Sequence, residues 1–360
     1  MKPTQSLHEL GQSMWLDNIT RMMLQDGTLQ RYIDELSITG LTSNPTIFDK
    51  AISQGGSYDE QIVELHERGL EPEQSFFELA LTDLREAARM FEPINRRTDG
   101  VDGWVSLEVS PLLADDAEAT IAQVADLHSR AACNIFIKIP GTEAGREAIE
   151  ESIFAGIPIN VTLLFSTDQY LGAAEAYMRG VERRIEAGLD PAVPSVASLF
   201  VSRWDVAVAD QVPQELRSRL GIAVAKLAYR AYRELLDSER WQRLANEGAR
   251  PQRLLWASTG TKDPEAPETL YVEALAAPFT VNTMPDKTLL AFSEHGEVGE
   301  PMPADGGDAE QVLAEFRATG VDVAELAARL QREGAEAFDA SWSELMESIE
   351  AKSRKLAAAG

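Results

Sequence analysis

The sequence is poor in the residues that build redox and metal sites: one cysteine, Cys133, and four histidines, His8, His66, His128 and His295, in 360 residues. A lone cysteine excludes an internal disulfide. The histidines stand without HxH, HExxH or CxxC spacing, so no metal is expected. Neither GxGxxG nor GxxxxGK(S/T) occurs, which leaves a nucleotide cofactor equally without a motif. Long apolar runs are missing too. Nothing approaches the roughly 18 residues of a membrane span, and the opening MKPTQSLHELGQSMW lacks the apolar stretch of a signal peptide. A soluble, cytoplasmic protein is expected. Positive charge is scarce: 33 basic against 59 acidic side chains give a net charge of −26. Such a chain repels phosphate backbones and anionic lipid, so neither nucleic acid nor a membrane is expected as partner, and a small anionic substrate needs a local basic site. Homo-oligomerisation is left open.

What is present is an alternation. Short apolar or β-branched runs fall at 13–16, 38–42, 104–109, 135–139, 157–165, 193–200, 254–258 and 279–281, with apolar residues at helical spacing between most of them. Phe77, Leu81, Leu84, Ala88 and Phe91 form one such face. Eight βα units predict a (β/α)8 barrel, with a doubly wound open sheet as the alternative. No repeat or Pro/Ser linker divides the chain, so a single domain over 1–360 is expected. The segment 293–308 reads as loop. Beyond it, Leu326, Leu330, Phe338, Trp342, Leu345 and Ile349 fall near helical spacing and predict helices over 308–360 that pack on the barrel.

Lysine is rarer than arginine, eight against 25, yet Lys138 sits inside the apolar run of β-type residues 135–139. It either snorkels to water from a strand end or serves as a nucleophile. An ordinary lysine, with a pKa near 10.4, is only about 0.04% free amine at pH 7, and desolvation raises that fraction. Other polar residues hold similar places. Asp17 ends the first run, Glu108 interrupts the third, and Asn160 and Thr162 share one face of the fifth by the period-two rule. A barrel gathers such strand ends at one rim. An amine and two carboxylates there suit imine chemistry: a nucleophile, a proton relay and a second base. Singly, each carboxylate reads equally as an arginine partner.

Four stretches resemble the transaldolase family. Residues 40–48, GLTSNPTIF, resemble its T-S/T-N-P motif, and residues 135–145, IFIKIPGTEAG, its Schiff-base lysine signature. Residues 160–166, NVTLLFS, and 198–203, SLFVSR, resemble its fifth strand and its phosphate-side segment. The resemblance runs from about Asp17 to about Glu294 and fits the long form of the family. It implies a class I aldolase-type barrel that moves a dihydroxyacetone unit between sugar phosphates without a cofactor. By the same resemblance Lys138 forms the imine and Asp17 accepts the C4 hydroxyl proton. Glu108 shuttles protons through a water held with Thr162, and Asn44 and Asn160 bind donor hydroxyls. Ser198, Arg203 and Ser258 match the phosphate pattern. The stretch STGTK at 258–262 departs from the family's shorter S-x-R, which makes Lys262 only a candidate second cation.

Phe200 bears on the choice among relatives. The smaller fructose-6-phosphate aldolases carry tyrosine at its position and glutamine at that of Glu108, so the pair found here favours transfer over simple cleavage. Phe165, Trp15 and Trp104 read as core. A Schiff-base aldolase that releases free dihydroxyacetone, and a non-catalytic barrel serving as a binding module, are the two alternatives.

Overall fold

The computed structural model describes residues 1–17 and 19–358. Eight parallel strands close into a barrel in sequence order: β1 Ser13–Asp17, β2 Ile38–Thr42, β3 Trp104–Glu108, β4 Ile135–Pro140, β5 Ile159–Leu164, β6 Ser195–Phe200, β7 Gln252–Ala257 and β8 Val281–Met284. Because β1 pairs with both β2 and β8, the sheet has no edge and the open-sheet alternative is ruled out. Parallel neighbours need long crossovers; helices supply them and form the outer layer.

Alternation along each strand sorts the apolar residues into two cores. Met14, Leu16, Val105, Leu107, Ile137, Ile139 and Trp256 face the helices and belong to one cluster. Trp15, Trp104, Phe136, Val196, Leu255 and Val281 belong to the other, inside the barrel. Trp104 stacks on Phe136 with ring centroids 4.2 Å apart, and Trp15 lies 6.0 Å from Phe136. Such pairs add about 0.5–1.5 kcal/mol each beyond the area they bury. Trp15 Nε1 donates to Asp102 Oδ1 at 2.9 Å, so the indole N–H is satisfied. Gly40 makes room for this packing: a Cβ there would meet Trp15 Nε1 at 2.7 Å and the Trp104 carbonyl at 2.6 Å. With the middle of the barrel filled by rings, polar inward-facing residues collect at the carboxyl ends of the strands.

One strand is misplaced by the sequence reading. The run 279–281 is not β8, which spans Val281–Met284. Phe279 adopts a left-handed φ of +64° and is 61% exposed, its ring 5.5 Å from the Arg233 guanidinium. The true strand was hidden because Asn282 and Thr283 are polar; both are buried, and Asn282 Oδ1 accepts from Thr259 Oγ1 at 3.0 Å.

Two helices follow the 296–308 connection, Ala309–Ala318 and the long Val323–Ala357. The second buries Leu326, Leu330, Phe338, Trp342, Leu345 and Ile349. Trp342 packs edge-on against Phe76 of the helix Pro72–Arg97, with centroids 5.0 Å apart, and Lys352 pairs with Asp59 at 2.7 Å. The final two positions of the 308–360 segment lie outside the described residues. Among the described residues no helix is long and apolar enough to cross a membrane.

Candidate active site

In three strands the same alternation turns a charged residue inward at or near the carboxyl end. In β1 the inward positions run Ser13, Trp15, Asp17; in β3, Trp104, Ser106, Glu108; in β4, Phe136, then Lys138. Register completes the arrangement, since Glu108 is the Cα partner of Lys138 and Lys138 that of Asn160. At the carboxyl end of the barrel these residues surround a cavity of about 140 Å³ lined by Asp17, Asn44, Lys138, Thr162, Ser198, Phe200, Arg203, Ser258 and Lys262. Glu108 and Asn160 stand behind this lining, both buried. A larger hollow of about 730 Å³ lies beside the C-terminal helices, but its lining has no lysine and mixes Arg317 with Asp168 and Asp322. Size therefore does not mark the functional site; the converging polar groups do.

Lys138 Nζ lies 3.0 Å from Glu108 Oε2, and both side chains are almost closed to solvent. Burial raises the Glu108 carboxyl above its ordinary range; the Lys138 charge and hydrogen bond pull it down, and Asp17 pushes it up again. Asp17 is likewise raised by burial, against lowering by Lys138, Thr42, Asn44 and Lys262. Thr42 Oγ1 donates to Asp17 Oδ1 at 3.2 Å and lies 2.9 Å from Thr283 Oγ1. The second Glu108 oxygen, Oε1, and Thr162 Oγ1 are buried without a protein partner. Two such groups beside a reactive amine have unused capacity for a substrate oxygen or a water.

Local chemistry explains the motifs. Asn44 caps the helix Pro45–Gln54: its Oδ1 accepts from Ile47 N at 3.2 Å, and Pro45 occupies the first helical position, where a missing N–H leaves nothing unpaired. The cap holds Asn44 at the cavity. Asn160 is engaged at both ends, donating to Ser106 Oγ at 3.1 Å and accepting from Ser198 Oγ at 2.8 Å. It braces the wall behind Ser198. In β5 the pairing with β6 shifts between Val161 and Leu164, and Leu163 takes a φ of +59°, a left-handed backbone uncommon for any residue but glycine. The irregularity sits directly after Thr162.

The cationic side is built by β6, β7 and the C-terminal helix. Arg203, in the helix Ser202–Val208, has its guanidinium 5.1 Å from the Phe200 ring and 5.9 Å from the Phe338 ring. Among the described residues no carboxylate pairs with it, and burial lowers its affinity for a proton. Ser258, at a φ of +56°, lies with its Oγ 2.8 Å from Ser202 Oγ. Lys262 completes a local excess of positive charge on a chain that is otherwise strongly acidic.

Sequence reading missed Thr42, Thr283, Pro285 and Phe338, all of which line the cavity. Thr42 stood within the quoted 40–48 motif without a role of its own. Phe338 carried only the signal of helical spacing, which marks burial and says nothing about what is buried beside it.

Comparison with known proteins agrees with this geometry. The family model described as Transaldolase/Fructose-6-phosphate aldolase matches residues 14–349. A protein named Transaldolase from Kocuria rhizophila is 46% identical over 359 residues, covering 97% of this chain and 98% of that one. Proteins of the same name from Parafrankia sp. and Mycobacterium ulcerans are 44% and 43% identical, over 97% and 98% of this chain and 97% of each relative. With the lysine, both carboxylates and the capping asparagine all at one barrel mouth, and likeness extending over almost the whole length, the chain belongs to the transaldolase/fructose-6-phosphate aldolase family.

Proposed function

We propose that the chain is a transaldolase. It transfers a dihydroxyacetone unit from fructose 6-phosphate or sedoheptulose 7-phosphate to glyceraldehyde 3-phosphate or erythrose 4-phosphate. The transfer runs through a Schiff base, in the cytoplasmic non-oxidative pentose phosphate pathway. The observation that carries this reading is the buried Lys138–Glu108 pair at a cavity that Asp17 and Arg203 also line.

The steps follow from the neighbours of each group. Lys138 hands a proton to Glu108, its partner at 3.0 Å, and the free amine attacks the donor's C2 carbonyl. Glu108, with Thr162 beside the nucleophile, returns protons as the carbinolamine loses water to give the iminium. The iminium withdraws electrons from the C3–C4 bond while Asp17 takes the C4 hydroxyl proton, and the aldose phosphate leaves. The bound enamine then adds through C3 to the incoming aldehyde, and the same steps run in reverse. Asn44, with Asn160 behind the wall, serves the donor's hydroxyls, and Ser198, Arg203 and Ser258, with Lys262, serve the phosphate.

The decisive experiment incubates the protein with fructose 6-phosphate, reduces it with borohydride, and maps the adduct by peptide mass spectrometry. A three-carbon adduct on Lys138 is expected; its absence from folded protein, with reduction controls intact, overturns the reading. Phe200 and Glu108 favour transfer over release of free dihydroxyacetone, so turnover of fructose 6-phosphate is expected to be poor until an aldehyde acceptor is added.

A further inference from the structure

The C-terminal helix Val323–Ala357 lies across the barrel mouth, and three of its residues on one face reach the site: Gln331, Gly334 and Phe338. Gln331 Nε2 donates to the carbonyls of Gly141 at 3.2 Å and Leu163 at 2.9 Å, holding the irregular end of β5. Gly334 allows the close approach, since a Cβ there would come within 3.0 Å of Leu163 Cδ2 and 3.1 Å of Arg203 Nη1. One turn further on, Phe338 is 9% exposed and lines the cavity, its ring centroid 5.6 Å from Lys138 Nζ. The nucleophilic nitrogen thus has a carboxylate on one side and an aromatic ring on another.

We propose that Phe338 is a specificity-determining residue that decides whether the lysine-bound three-carbon fragment is transferred or released. This inference rests on the transaldolase reading above. After C3–C4 cleavage the fragment is an enamine on Lys138. For transfer, C3 attacks the acceptor aldehyde carbon, and the aldehyde oxygen takes a proton from Asp17. For release, C3 takes a proton, water adds to C2 of the resulting iminium, and the C2–N bond breaks, giving dihydroxyacetone and the free lysine. Both routes end with water adding to an iminium at C2, so they part at C3: release needs a proton delivered there from water, whereas transfer needs the acceptor aldehyde there. Phe338 lines the cavity that the enamine occupies beside Lys138, and a ring seated there on a helix fixed by Gln331 and Gly334 removes room for a water that could protonate C3, while the acceptor aldehyde enters as the substrate does.

The test compares the wild type with Phe338→Leu and Phe338→Ala on fructose 6-phosphate. Dihydroxyacetone release without acceptor and transfer to erythrose 4-phosphate are both measured. The ratio of release to transfer is expected to rise at least about fivefold on removal of the ring. A merely structural role lowers both rates together and leaves the ratio unchanged, which overturns the proposal. Phe338→Leu keeps the apolar volume and supplies a folded variant if Phe338→Ala does not fold. Borohydride trapping on the wild type separates the two layers: no Lys138 adduct defeats the transaldolase reading and this inference together, whereas an adduct with an unchanged ratio defeats the inference alone.

Discussion

Glu108 Oε2 and Lys138 Nζ meet at 3.0 Å with 6% and 8% of their side chains exposed, on adjacent strands whose Cα atoms are register partners. The pair is held by the barrel itself and does not depend on loop geometry. Removing one member leaves the other buried alone. Lys138→Met is therefore expected to abolish turnover and the borohydride adduct, and to lower stability at neutral pH by about 3 kcal/mol. The Glu108 carboxyl is already raised by burial and loses its compensating cation in the variant. A carboxyl raised in the folded state stabilises at low pH and loses that stabilisation as pH rises. The melting-temperature deficit of the variant should thus shrink on acidification; a pH-independent deficit would contradict the buried-pair account.

Arg203 has two aromatic faces beside it and no carboxylate partner among the described residues. Arg203→Ala should raise KM for fructose 6-phosphate by about 10–100-fold, the equivalent of the roughly 1.5–3 kcal/mol of a charged hydrogen bond. Unphosphorylated fructose should be affected far less. Lys262→Met is expected to follow the same selectivity with a smaller effect, because an ammonium offers no planar fork. Equal losses on both sugars would remove these cations from phosphate binding.

Gly40→Ala tests the aromatic filling of the barrel. The added methyl has only 2.6–2.7 Å to the Trp104 carbonyl and the Trp15 indole, neither of which can move freely inside a closed barrel. Overpacking of this kind destabilises by about 1–3 kcal/mol. Urea unfolding should show a lower midpoint with an unchanged slope, and an unshifted midpoint would mean that the rings relax at no expense.

Asp205 supplies a pH probe away from the chemistry. Its carboxylate accepts from Leu220 N at 2.8 Å, Gly221 N at 3.2 Å and Tyr271 Oη at 2.8 Å, tying the helix that carries Arg203 to the helix Leu220–Asp237. Burial outweighs these bonds and pushes the carboxyl from 3.8 up to about 6. The stability it contributes is present in full below the unfolded value of 3.8 and is lost as pH rises through about 6. Carboxyl-resolved NMR should find Asp205 titrating near 6, and Asp205→Asn should flatten the wild-type stability curve across that interval. Titration below 4 would show that the hydrogen bonds dominate burial.

How much was legible beforehand depends on whether a feature is local. Strands β1 to β7 were visible because their apolar residues are contiguous or alternate over short runs, and Lys138 stood out because a charge inside such a run is rare. β8 was misplaced because it spends two of its four residues on Asn282 and Thr283, whose burial is allowed only by partners such as Thr259, distant in pattern though near in space. Phe338 was legible as a buried helical residue and illegible as a neighbour of Lys138, 200 positions away.

By itself, then, the sequence determined the alternation of strands and helices, the inward side of each strand and the chemical character of the strand ends, since each depends on neighbours within a few residues. Closure of the barrel, the pairing of Glu108 with Lys138 across two strands, and the seating of the C-terminal helix over both were decided only in three dimensions. Contacts between distant segments follow from which packing fills space and satisfies buried polar groups, and that is a property of the assembled core.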